Sequence, residues 1–599
     1  MQNSPQVHYQ QQLQKHRLHL QQLLKKRSRL GWVRLVVFLL TAFLTYKVLV
    51  SAGLWGLAVA AAGLGILLYL IATDANNNQR IDNAQTLISL NEEELQFLDN
   101  DYYRRYDGSR YIPAVHHYAN DLDLFGKASL FQWMNRAYTE QGRNLLANDL
   151  LQPLPVAQVR ERHEAIKEIS PQIEWRQQLQ AFAMQTSVTT QTEKQALAWL
   201  NEKDEHFTSP VWKAVVPVYS VLTLGSVLAA ALGYLPAGLF SALYILYLFL
   251  SIILSRNTVK PYAQLSGIVK EVAVLHRLVQ WIEEKKFKAP LLRNLQEEVK
   301  TTEGKAAGQI KKLKTILDRF DLRLSIVGVL FFNSFLLWDV RQMIALNQWR
   351  KRNKEKLANW FGLVAEMEVV HSVATMHFNK PGWSFPDFTD RHFSLSAQEI
   401  GHPLIADETR VNNDFTLTGT AKIGLVTGSN MAGKSTFLRS LGVNIVLAQM
   451  GAPVCAQSLV LSPVRLMSSM RIADNLAENT STFYAELKKL KTIIEAVNRH
   501  EPVFILLDEI LRGTNSLDRH KGSEALIAQL IKQNAVAVIA THDVELAKLE
   551  TKFPQSVENY HFDVQVEGEE LYFDYRLKQG VCTSLNASIL MKKIGIELA

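Results

Sequence analysis

Cysteine is almost absent from this chain of 599 residues: Cys455 and Cys582 stand far apart and form no CxxC pair. A framework of disulfides is therefore excluded, and so is a cysteine-based zinc site. The low thiol content fits a reducing compartment. A secretory signal peptide is not expected either, because the first apolar run starts late and no cleavage-like site precedes the second run.

Charge of one sign is only mildly in excess. Charged residues make up 20% of the chain, and the net charge of +8 gives an isoelectric point of about 9.1. An acidic partner such as nucleic acid or anionic lipid is compatible with this balance. Part of the excess has a simpler interpretation, since basic residues flank the cytoplasmic ends of membrane spans.

Two stretches lack charged residues almost completely, residues 32–72 and residues 211–254. Each holds two runs of about 20 residues, the length that crosses a hydrocarbon core. The breaks lie at residues 51–53 and 233–238, so the sequence predicts four transmembrane helices in two tight hairpins. Basic residues precede the first run and predict a multi-pass protein of the inner (cytoplasmic) membrane with every soluble segment in the cytoplasm: Lys15, Arg17, Lys25, Lys26, Arg27, Arg29 and Arg34.

Three shorter segments leave more than one interpretation. The first thirty residues could form a basic amphipathic helix on anionic lipid or contact nucleic acid, although a plain positive flank is favoured. Residues 74–79, with three consecutive asparagines, predict a turn or linker. Residues 326–338 are apolar but short and contain Asn333, so we expect a buried helix of the soluble part rather than a fifth span.

A glycine-rich loop follows a short β-type run at residues 421–426, and a helical pattern begins at its end. This order is the context that a phosphate-binding loop requires, because its backbone N–H groups and the helix N-terminus wrap the phosphates. Lys434 should reach the β- and γ-phosphates, and Ser435 should ligate Mg²⁺. The predicted ATP-binding residues are Gly428, Ser429, Asn430, Met431, Ala432, Gly433, Lys434, Ser435 and Thr436.

Two further apolar runs end in polar residues. Residues 503–507 run directly into Asp508 and Glu509, as expected of a central parallel strand that delivers carboxylates to the ligand-binding edge of a sheet. Asp508 would hold the Mg²⁺ shell, and Glu509 would orient the attacking water. Residues 535–540 form another apolar run, which Thr541 and His542 follow. We expect His542 to sense the γ-phosphate or position water rather than to be merely structural.

These motifs resemble the ATPase domain of the MutS family. Residues 427–456 read TGSNMAGKSTFLRSLGVNIVLAQMGAPVCA, and the acidic pair is followed by Arg512-Gly513-Thr514, as in the family's Asp-Glu…Arg-Gly-Thr pattern. Ile510-Leu511 stand where Leu-Gly is common. Ser481-Thr482-Phe483 resembles the family's Ser-Thr-Phe signature. The resemblance implies that Ser481 contacts the ATP of a second subunit, with a simple helix N-cap as the alternative.

The resemblance extends over residues 80–200 and 360–599. Residues 121–153 resemble the family's core domain, residues 160–169 resemble its next helix, and residues 401–403 with 413–414 fit the approach to the phosphate loop. By this analogy, residues near Arg410 and Val411 would cover the adenine. Residues 583–598 are a candidate dimer contact.

The sequence therefore predicts an α/β P-loop NTPase domain of MutS/ABC type, a mainly α-helical core and lever region, and four transmembrane helices. The expected domains are a basic tail (1–31), a hairpin (32–72), a helical core (73–210), a second hairpin (211–255), a helical lever or arm (256–375) and the ATPase domain with its dimerisation helix (376–599).

The function that the resemblance implies is a membrane-anchored, Mg²⁺-dependent ATPase that forms a homodimer and acts as an ATP-driven clamp on mismatched or branched DNA. Yet no Phe-x-Glu wedge precedes the core, and we expect the mismatch-reading and connector domains to be missing. The alternative is an ATPase that couples its nucleotide state to a membrane partner without mismatch recognition. A transporter is disfavoured because no Leu-Ser-Gly-Gly-Gln signature occurs.

Overall fold

The computed structural model describes residues 4–202, 207–301, 304–429, 431–471, 482–567 and 570–582. The regular elements described between residues 5 and 379 are helices, and this region is called the helical part below. Residues 380–582 contain the strands and are called the sheet part. The helices of the helical part are α1 (Pro5–Ala52), α2 (Trp55–Leu98), α3 (Leu130–Met134), α4 (Glu140–Leu151), α5 (Val156–Ile169), α6 (Ile173–Ala183), α7 (Thr190–Asn201), α8 (Val211–Ala231), α9 (Ala237–Ser255), α10 (Val259–Ser266), α11 (Val269–Glu284), α12 (Pro290–Glu298), α13 (Ala306–Phe320), α14 (Ser334–Leu336), α15 (Trp338–Asn353) and α16 (Leu357–Asn379).

The first hairpin consists of α1 and α2, which turn at Gly53 in the left-handed region (φ +59°) and run far beyond the apolar segment. The prediction of a turn or linker at residues 74–79 is wrong, because α2 continues through it. Asn77 is buried and its Nδ2 donates to the Leu23 carbonyl at 3.1 Å, while Asp74 pairs with Arg34 at 3.1 Å. Contacts with α1 outweigh the weak helix propensity of asparagine.

Residues 5–30 belong to α1, which packs on the rest of the protein through Tyr9, Gln12 and Leu23. Tyr9 is almost fully buried, and its hydroxyl donates to Asn379 Oδ1 at 2.8 Å. At the far end of α2, Arg136 grips the Glu94 carboxylate with two N–H···O contacts of 3.0 Å each. The first hairpin is thus attached to the helical part at both of its free ends.

The second hairpin is α8 and α9, joined by a turn at Gly233 (φ +80°). By length and composition, four helices of the described residues could cross a membrane, namely α1, α2, α8 and the run Ala237–Ser266 that begins with α9, or five if Gly328–Leu336 and Trp338–Asn353 are counted as one bent span. Large apolar side chains of these helices are exposed rather than packed inside the protein. The four long apolar helices that the sequence predicts are therefore present as helices.

Residues 326–338 do not form the buried helix that was expected. Residues 328–333 are a π-helical turn, α14 follows, and Leu337 in the left-handed conformation bends the chain by 69° into α15. Ile326 is 78% exposed and Phe331 is 58% exposed. The expectation is wrong because only one side of the segment packs on α8 and α9, and its apolar side chains face outward.

The sheet part is built on a six-stranded sheet of order β10-β9-β4-β8-β7-β6, in which only β10 is antiparallel to its neighbour. A four-stranded sheet of order β1-β5-β2-β3 lies beside it. The elements are β1 (Asp387–Phe388), β2 (Ser394–Ile400), β3 (Asn413–Thr418), β4 (Lys422–Thr427), α17 (Lys434–Gln449), β5 (Ser458–Leu461), β6 (Arg465–Ser469), α18 (Thr482–Asn498), β7 (Val503–Asp508), α19 (Ser516–Lys532), β8 (Val536–Ala540), α20 (Leu549–Lys552), β9 (Val557–Glu567) and β10 (Glu570–Gln579).

The central strand β7 is buried on both faces, as its unbroken apolar run predicts. Phe504 and Leu506 join the large core that continues into the helical part, while Ile505 and Leu507 join a second core beneath α18 and α19. Successive residues of a strand point to opposite faces, so an apolar run marks a strand covered on both. Both Asp508 and Glu509 are thereby fixed at the carboxyl edge.

The two parts share a buried hydrogen bond from Arg162 as well as a core. Arg162 of α5 donates to Asp149 at 2.5 Å, to Glu366 of α16 at 2.6 Å and to the Met450 carbonyl at the end of α17 at 2.9 Å. Since its side chain is only 5% exposed, each of these partners is needed to offset the lost hydration of the guanidinium. Arg162 therefore joins the helical part to the helix that follows the glycine-rich loop.

Candidate functional site

The glycine-rich loop connects β4 to α17. Gly428 has φ +147°, and a Cβ there would lie 2.7 Å from the Phe562 carbonyl oxygen; Gly433 has φ +102°. Such dihedrals and such close approach are open to glycine alone. The glycines thus let the loop pass β9 closely and turn its backbone toward the N-terminus of α17, where helix N–H groups attract anions.

Lys434 is the first residue of α17 and is buried beneath the loop. Its Nζ donates to the carbonyls of Gly428 (2.7 Å) and Ser429 (2.8 Å). Burial lowers the pKa of this ammonium, which Glu509 and Asp508 oppose. The Ser429 hydroxyl is also buried and has no hydrogen-bond partner among the described residues. Asn430, the third loop residue of the prediction, lies outside the described residues.

Asp508 lies at the end of β7, beside the start of α17, and is only 7% exposed. Burial raises the pKa of Asp508, and the nearby Ser435 hydroxyl opposes this rise. Its Oδ1 has no hydrogen-bond partner within the described part of the chain. A hydroxyl and a carboxylate oxygen are ligands that Mg²⁺ prefers, so the pair that the sequence singled out fits a shared cation.

Glu509 directs its carboxylate toward the same edge. Its backbone has φ +51°, and its N–H donates to the Ala540 carbonyl at 2.9 Å. Oε1 lies 3.6 Å from His542 Nδ1, and Oε2 lies 3.1 Å from Arg512 Nε. The structure thus brings together the predicted residues Glu509 and His542. It adds Arg512, which sequence reasoning left out of the site although its spacing from the acidic pair could have suggested it.

A cleft of about 370 Å³ opens above the loop. Among the predicted residues, Met431, Gly433, Lys434, Ser435, Thr436 and Glu509 line it. Val411 also lines it, as the predicted adenine cover requires. Arg410 does not line it, because its guanidinium pairs with Asp407 at 2.7 Å.

The wall that faces the loop is formed by His402, Ile405, Phe562 and Tyr575. Sequence reasoning placed only His402 near the loop, through the resemblance of residues 401–403, and missed the other three. Tyr575 sits at an irregularity of the β9–β10 ladder between Phe573 and Leu577, with φ +50°, and its ring lies 3.1 Å from the position of a Gly433 Cβ. Irregularities of this kind re-aim side chains. Burial, with Arg439 and Arg410, lowers the pKa of His402 to about 4, so this ring is neutral at pH 7.

The Arg-Gly-Thr loop after β7 is held by α18. Glu486 accepts the backbone N–H groups of Leu511 (2.5 Å) and Arg512 (3.2 Å), and a Cβ on Gly513 would lie 2.5 Å from Phe483 Cβ. The loop that carries Arg512 therefore depends on the first turn of α18. Ser481, immediately before α18, lies outside the described residues, as does the predicted dimer contact at residues 583–598.

Two carboxylates of the helical part reach toward the site. Asp121 is 1% exposed and accepts from the Ser468 hydroxyl (2.6 Å), Lys489 Nζ (2.6 Å) and the backbone of the residues after β6. Asp123 pairs with Arg439 of α17 at 3.3 Å. These residues belong to the segment that resembles the MutS core domain, and they connect it to both α17 and α18.

Comparisons with known proteins agree with this geometry. The family model for MutS domain V matches residues 424–593. The chain is 33% identical over 257 residues to the DNA mismatch repair protein MutS of Thermotoga sp. (strain RQ2), covering 42% of this chain and 30% of that protein. It is 33% identical over 230 residues to the DNA mismatch repair protein MutS of Aquifex pyrophilus, covering 38% and 26%.

The matched region contains the loop, the acidic strand end and the Arg-Gly-Thr segment. The chain spans 30% or less of the length of these two curated relatives. The motifs, their meeting at one edge of the sheet and these matches lead to one conclusion: the C-terminal domain of the chain is related to domain V of the MutS family.

Proposed function

We propose that this protein is a Mg²⁺-dependent ATP hydrolase of MutS type, anchored in a membrane and active as a homodimer. The observation that carries the proposal is the meeting of Lys434 and Ser435 with Asp508 and Glu509 at one edge of the sheet. These residues supply an ammonium group, a hydroxyl, a buried carboxylate and a second carboxylate that can orient water. Phosphoryl transfer to water requires groups of these kinds.

ATP would bind with its phosphates on the loop from Gly428 to Thr436 and its base toward the wall of His402, Ile405 and Tyr575. Loop N–H groups and Lys434 would neutralise the phosphate charge. The neutral imidazole of His402 suits contact with an uncharged base, since it adds no charge to the cleft. The P-loop NTPase fold is part of this proposal.

Ser435 and Asp508 would hold Mg²⁺. No group of three or more His, Cys, Asp or Glu side chains among the described residues could hold a metal ion alone. This agrees with Mg²⁺, which is commonly bound by one or two protein groups together with substrate phosphates and water. When bound, the ion supplies positive charge to the phosphate oxygens.

Glu509 would accept a hydrogen bond from the attacking water and orient it toward the γ-phosphate, so that the β–γ anhydride is split into ADP and phosphate. The two carboxylate oxygens of Glu509 have different neighbours: Arg512 lies beside Oε2, and His542 lies beside Oε1. His542 would sense the γ-phosphate or position the attacking water. Ser481 of a second copy would complete the site, since a helix start is an anion-binding element.

The membrane proposal places α1, α2, α8 and α9 in the inner (cytoplasmic) membrane as two hairpins, with the soluble regions in the cytoplasm. Exposed apolar side chains on all four helices support it. The division into basic tail, hairpins, helical core, lever region and ATPase domain belongs to the same proposal.

DNA is the ligand that the family suggests, because the matched relatives are named DNA mismatch repair proteins. We infer a clamp-like change on mismatched or branched DNA, driven by ATP. A second candidate is a membrane partner that responds to nucleotide state without mismatch recognition. One observation favours it: α1 reaches Asn379, the last residue of the helical part before the sheet part, through Tyr9.

The hydrolysis proposal is tested with Glu509→Gln. Removing the water-orienting carboxylate should lower the ATP hydrolysis rate by about 10²–10⁴-fold while ATP stays bound. The measurement is single-turnover hydrolysis together with equilibrium binding of ATP. Glu545→Gln is the control, because Glu545 is exposed and pairs only with Lys548 and its own turn. A Glu509→Gln protein that hydrolysed ATP at the normal rate would disprove the assigned mechanism.

The ligand is tested with homoduplex, mismatched and four-way-junction DNA at two salt concentrations. A DNA clamp should prefer the mismatch or the junction, and its affinity should fall steeply with salt because bound counterions are released. Lys434→Ala, which should abolish ATP binding, shows whether any preference depends on nucleotide. Binding that ignores DNA structure, or that is missing even at low salt, favours the membrane-partner candidate.

A further inference from the structure

Residues 324–336, the bent segment, carry apolar side chains that no part of the described protein covers. Leu324, Ile326, Val327 and Phe331 are each more than half exposed. An exposed cluster of this size is unusual on a soluble surface and marks contact with another apolar phase or partner. The bent segment follows α13 and leads directly into α15.

The opposite side of the bent segment is fixed to the second hairpin through its backbone. Tyr219 and Thr223 of α8 donate their hydroxyls to the carbonyls of Ser334 (2.7 Å) and Phe335 (2.6 Å), and Tyr244 of α9 donates to Leu330 at 3.1 Å. A π-helical turn and a helix end leave carbonyls without regular partners. In a lipid phase such groups must be satisfied by protein, and here side chains of the hairpin do so.

The helices at the two ends of the bent segment, α13 and α15, lie side by side. Trp338 at the start of α15 donates its indole N–H to Arg319 near the end of α13 at 2.8 Å. Further along, Trp349 of α15 donates to Gln309 of α13 at 2.7 Å, so the two helices stay packed together. A helical segment of this length spans at most about 18–20 Å, less than the ~30 Å of a hydrocarbon core.

We propose that the bent segment is a re-entrant membrane element, which enters the acyl-chain region beside the second hairpin and leaves on the side where it entered. The proposal rests on the membrane anchoring of α8 and α9 proposed above. We infer that lipid acyl chains contact the segment, because its exposed side chains continue the exposed apolar surface of the hairpin. Val221 and Ile245 of the hairpin are also uncovered.

This arrangement keeps α13 and α15 on one side of the membrane. A fifth crossing would separate them and would place the sheet part opposite the soluble residues between the hairpins. Their mutual packing, together with the Arg323–Asp339 pair at 3.6 Å across the base of the segment, requires a return instead. The second hairpin and the bent segment thus form one three-part anchor beneath α15.

The test is photocrosslinking of the full-length protein in phosphatidylcholine–phosphatidylglycerol vesicles with radiolabelled acyl chains. A benzophenone amino acid replaces Phe331 or, in a second variant, Ile326. Ile245 of α9 is the position for the hairpin itself, and exposed Lys311 of α13 is the water-facing control. We expect Phe331 and Ile326 to be labelled by lipid at least tenfold above Lys311 and to a similar extent as Ile245.

Each other outcome is decisive. Labelling at Ile245 without labelling at Phe331 and Ile326 overturns the re-entrant element and leaves the anchoring proposal intact. Absence of labelling at Ile245 as well overturns both. Equal labelling at Lys311 also overturns the element, since lipid contact would then not be confined to the bent segment. Crosslinks to a second protein chain in place of lipid would identify the surface as a protein interface.

Discussion

The sheet part and the helical part treat charged side chains in different ways. In the helical part, the buried groups around Glu94 and Arg162 are closed pairs: Arg136 donates to both carboxylate oxygens of Glu94, and although burial opposes it, Arg136 and Arg105 hold the pKa of Glu94 well below its usual range. In the sheet part, Asp508 keeps an oxygen without a described partner, and Glu509 faces an open cleft.

The difference separates groups that maintain the fold from groups that are available for chemistry. A buried charge without a full set of partners costs free energy, so it persists only where another requirement keeps it. On this basis we infer that Asp508 and Glu509 serve the proposed chemistry, whereas the closed pairs around Glu94 and Arg162 stabilise the fold. Substitutions in one class should change stability, and substitutions in the other should change activity.

The largest effect on stability is expected for Arg162→Met. The substitution leaves Asp149 and Glu366 without their buried cation, so the free energy of unfolding should fall by about 3–5 kcal/mol. Urea unfolding of the solubilised protein measures it. The control is Arg160→Met on the exposed side of the same helix, which should stay within about 0.5 kcal/mol of the unsubstituted protein. Equal shifts in both variants would refute a structural role for the closed pairs.

Gly428→Ala should weaken ATP binding, because it changes the loop of the candidate site. A side chain at φ +147° meets the Phe562 carbonyl at 2.7 Å, and the resulting strain of about 1–3 kcal/mol should weaken ATP binding roughly 10–100-fold. Calorimetric titration with ATP is the measurement. Gly308→Ala in α13, where a Cβ meets nothing within 4 Å, should leave the affinity unchanged. Unaltered affinity in Gly428→Ala would mean that the loop does not bind phosphate in this conformation.

His163 should make the helical part sensitive to acid. Burial, together with Lys167, lowers the pKa of His163 from 6.5 to about 4 in the folded protein. Between these values the unfolded chain binds the proton and the folded chain does not, so stability is present above pH 6.5 and is lost as the pH falls toward 4. From pH 7 to pH 5 the loss is on the order of 2 kcal/mol.

His163→Phe should remove that share of the pH dependence, which urea unfolding at the two pH values measures. Phe385 packs against the ring of His163 at 4.8 Å between centroids, so an aromatic replacement preserves the contact. His19→Phe, at an exposed position of α1, serves as the comparison and should retain the acid loss. If both variants lose stability equally between pH 7 and pH 5, the acid sensitivity comes from elsewhere.

The smallest effect is expected for Asn515→Ala at the start of α19. Asn515 Oδ1 accepts the Asp518 N–H at 2.9 Å, and loss of such an N-cap costs about 1 kcal/mol. Asn515→Asp keeps the acceptor and should be nearly neutral. Thermal unfolding distinguishes the two. Equal melting temperatures for the two variants would show that the cap does not contribute to the stability of the sheet part.

The sequence predicted best where an element and its chemistry are contiguous. Strand, loop and helix follow one another around Gly428, and Asp508 ends its own strand, so periodicity and spacing suffice. Tyr575 could not be found in this way, and His402 was placed near the loop only by the family resemblance. They reach the cleft from segments more than a hundred residues apart, through the register of β10 and the turn after β2.

Two local predictions were wrong because partners far along the chain decide them. Three asparagines favour a turn, yet Asn77 stays helical because the Leu23 carbonyl of α1 accepts its amide. The apolar residues 326–338 indicate burial, yet Ile326, Val327 and Phe331 face outward, because hydroxyls of α8 and α9 hold the opposite, backbone side of the segment. Neither contact can be predicted from the residues of the segment alone, since the partners lie elsewhere in the chain.

The unbroken course of α2 has a consequence for symmetry. A helix of 44 residues is about 66 Å long, and α2 runs without interruption from the turn at Gly53 to Leu98 beside the Glu94–Arg136 pair. The rest of the protein therefore has a fixed orientation relative to the apolar end of α2. Two copies held in one bilayer with the same orientation can be related by a twofold axis only if that axis stands along the bilayer normal. Any composite site between them must then close by movement parallel to the membrane plane.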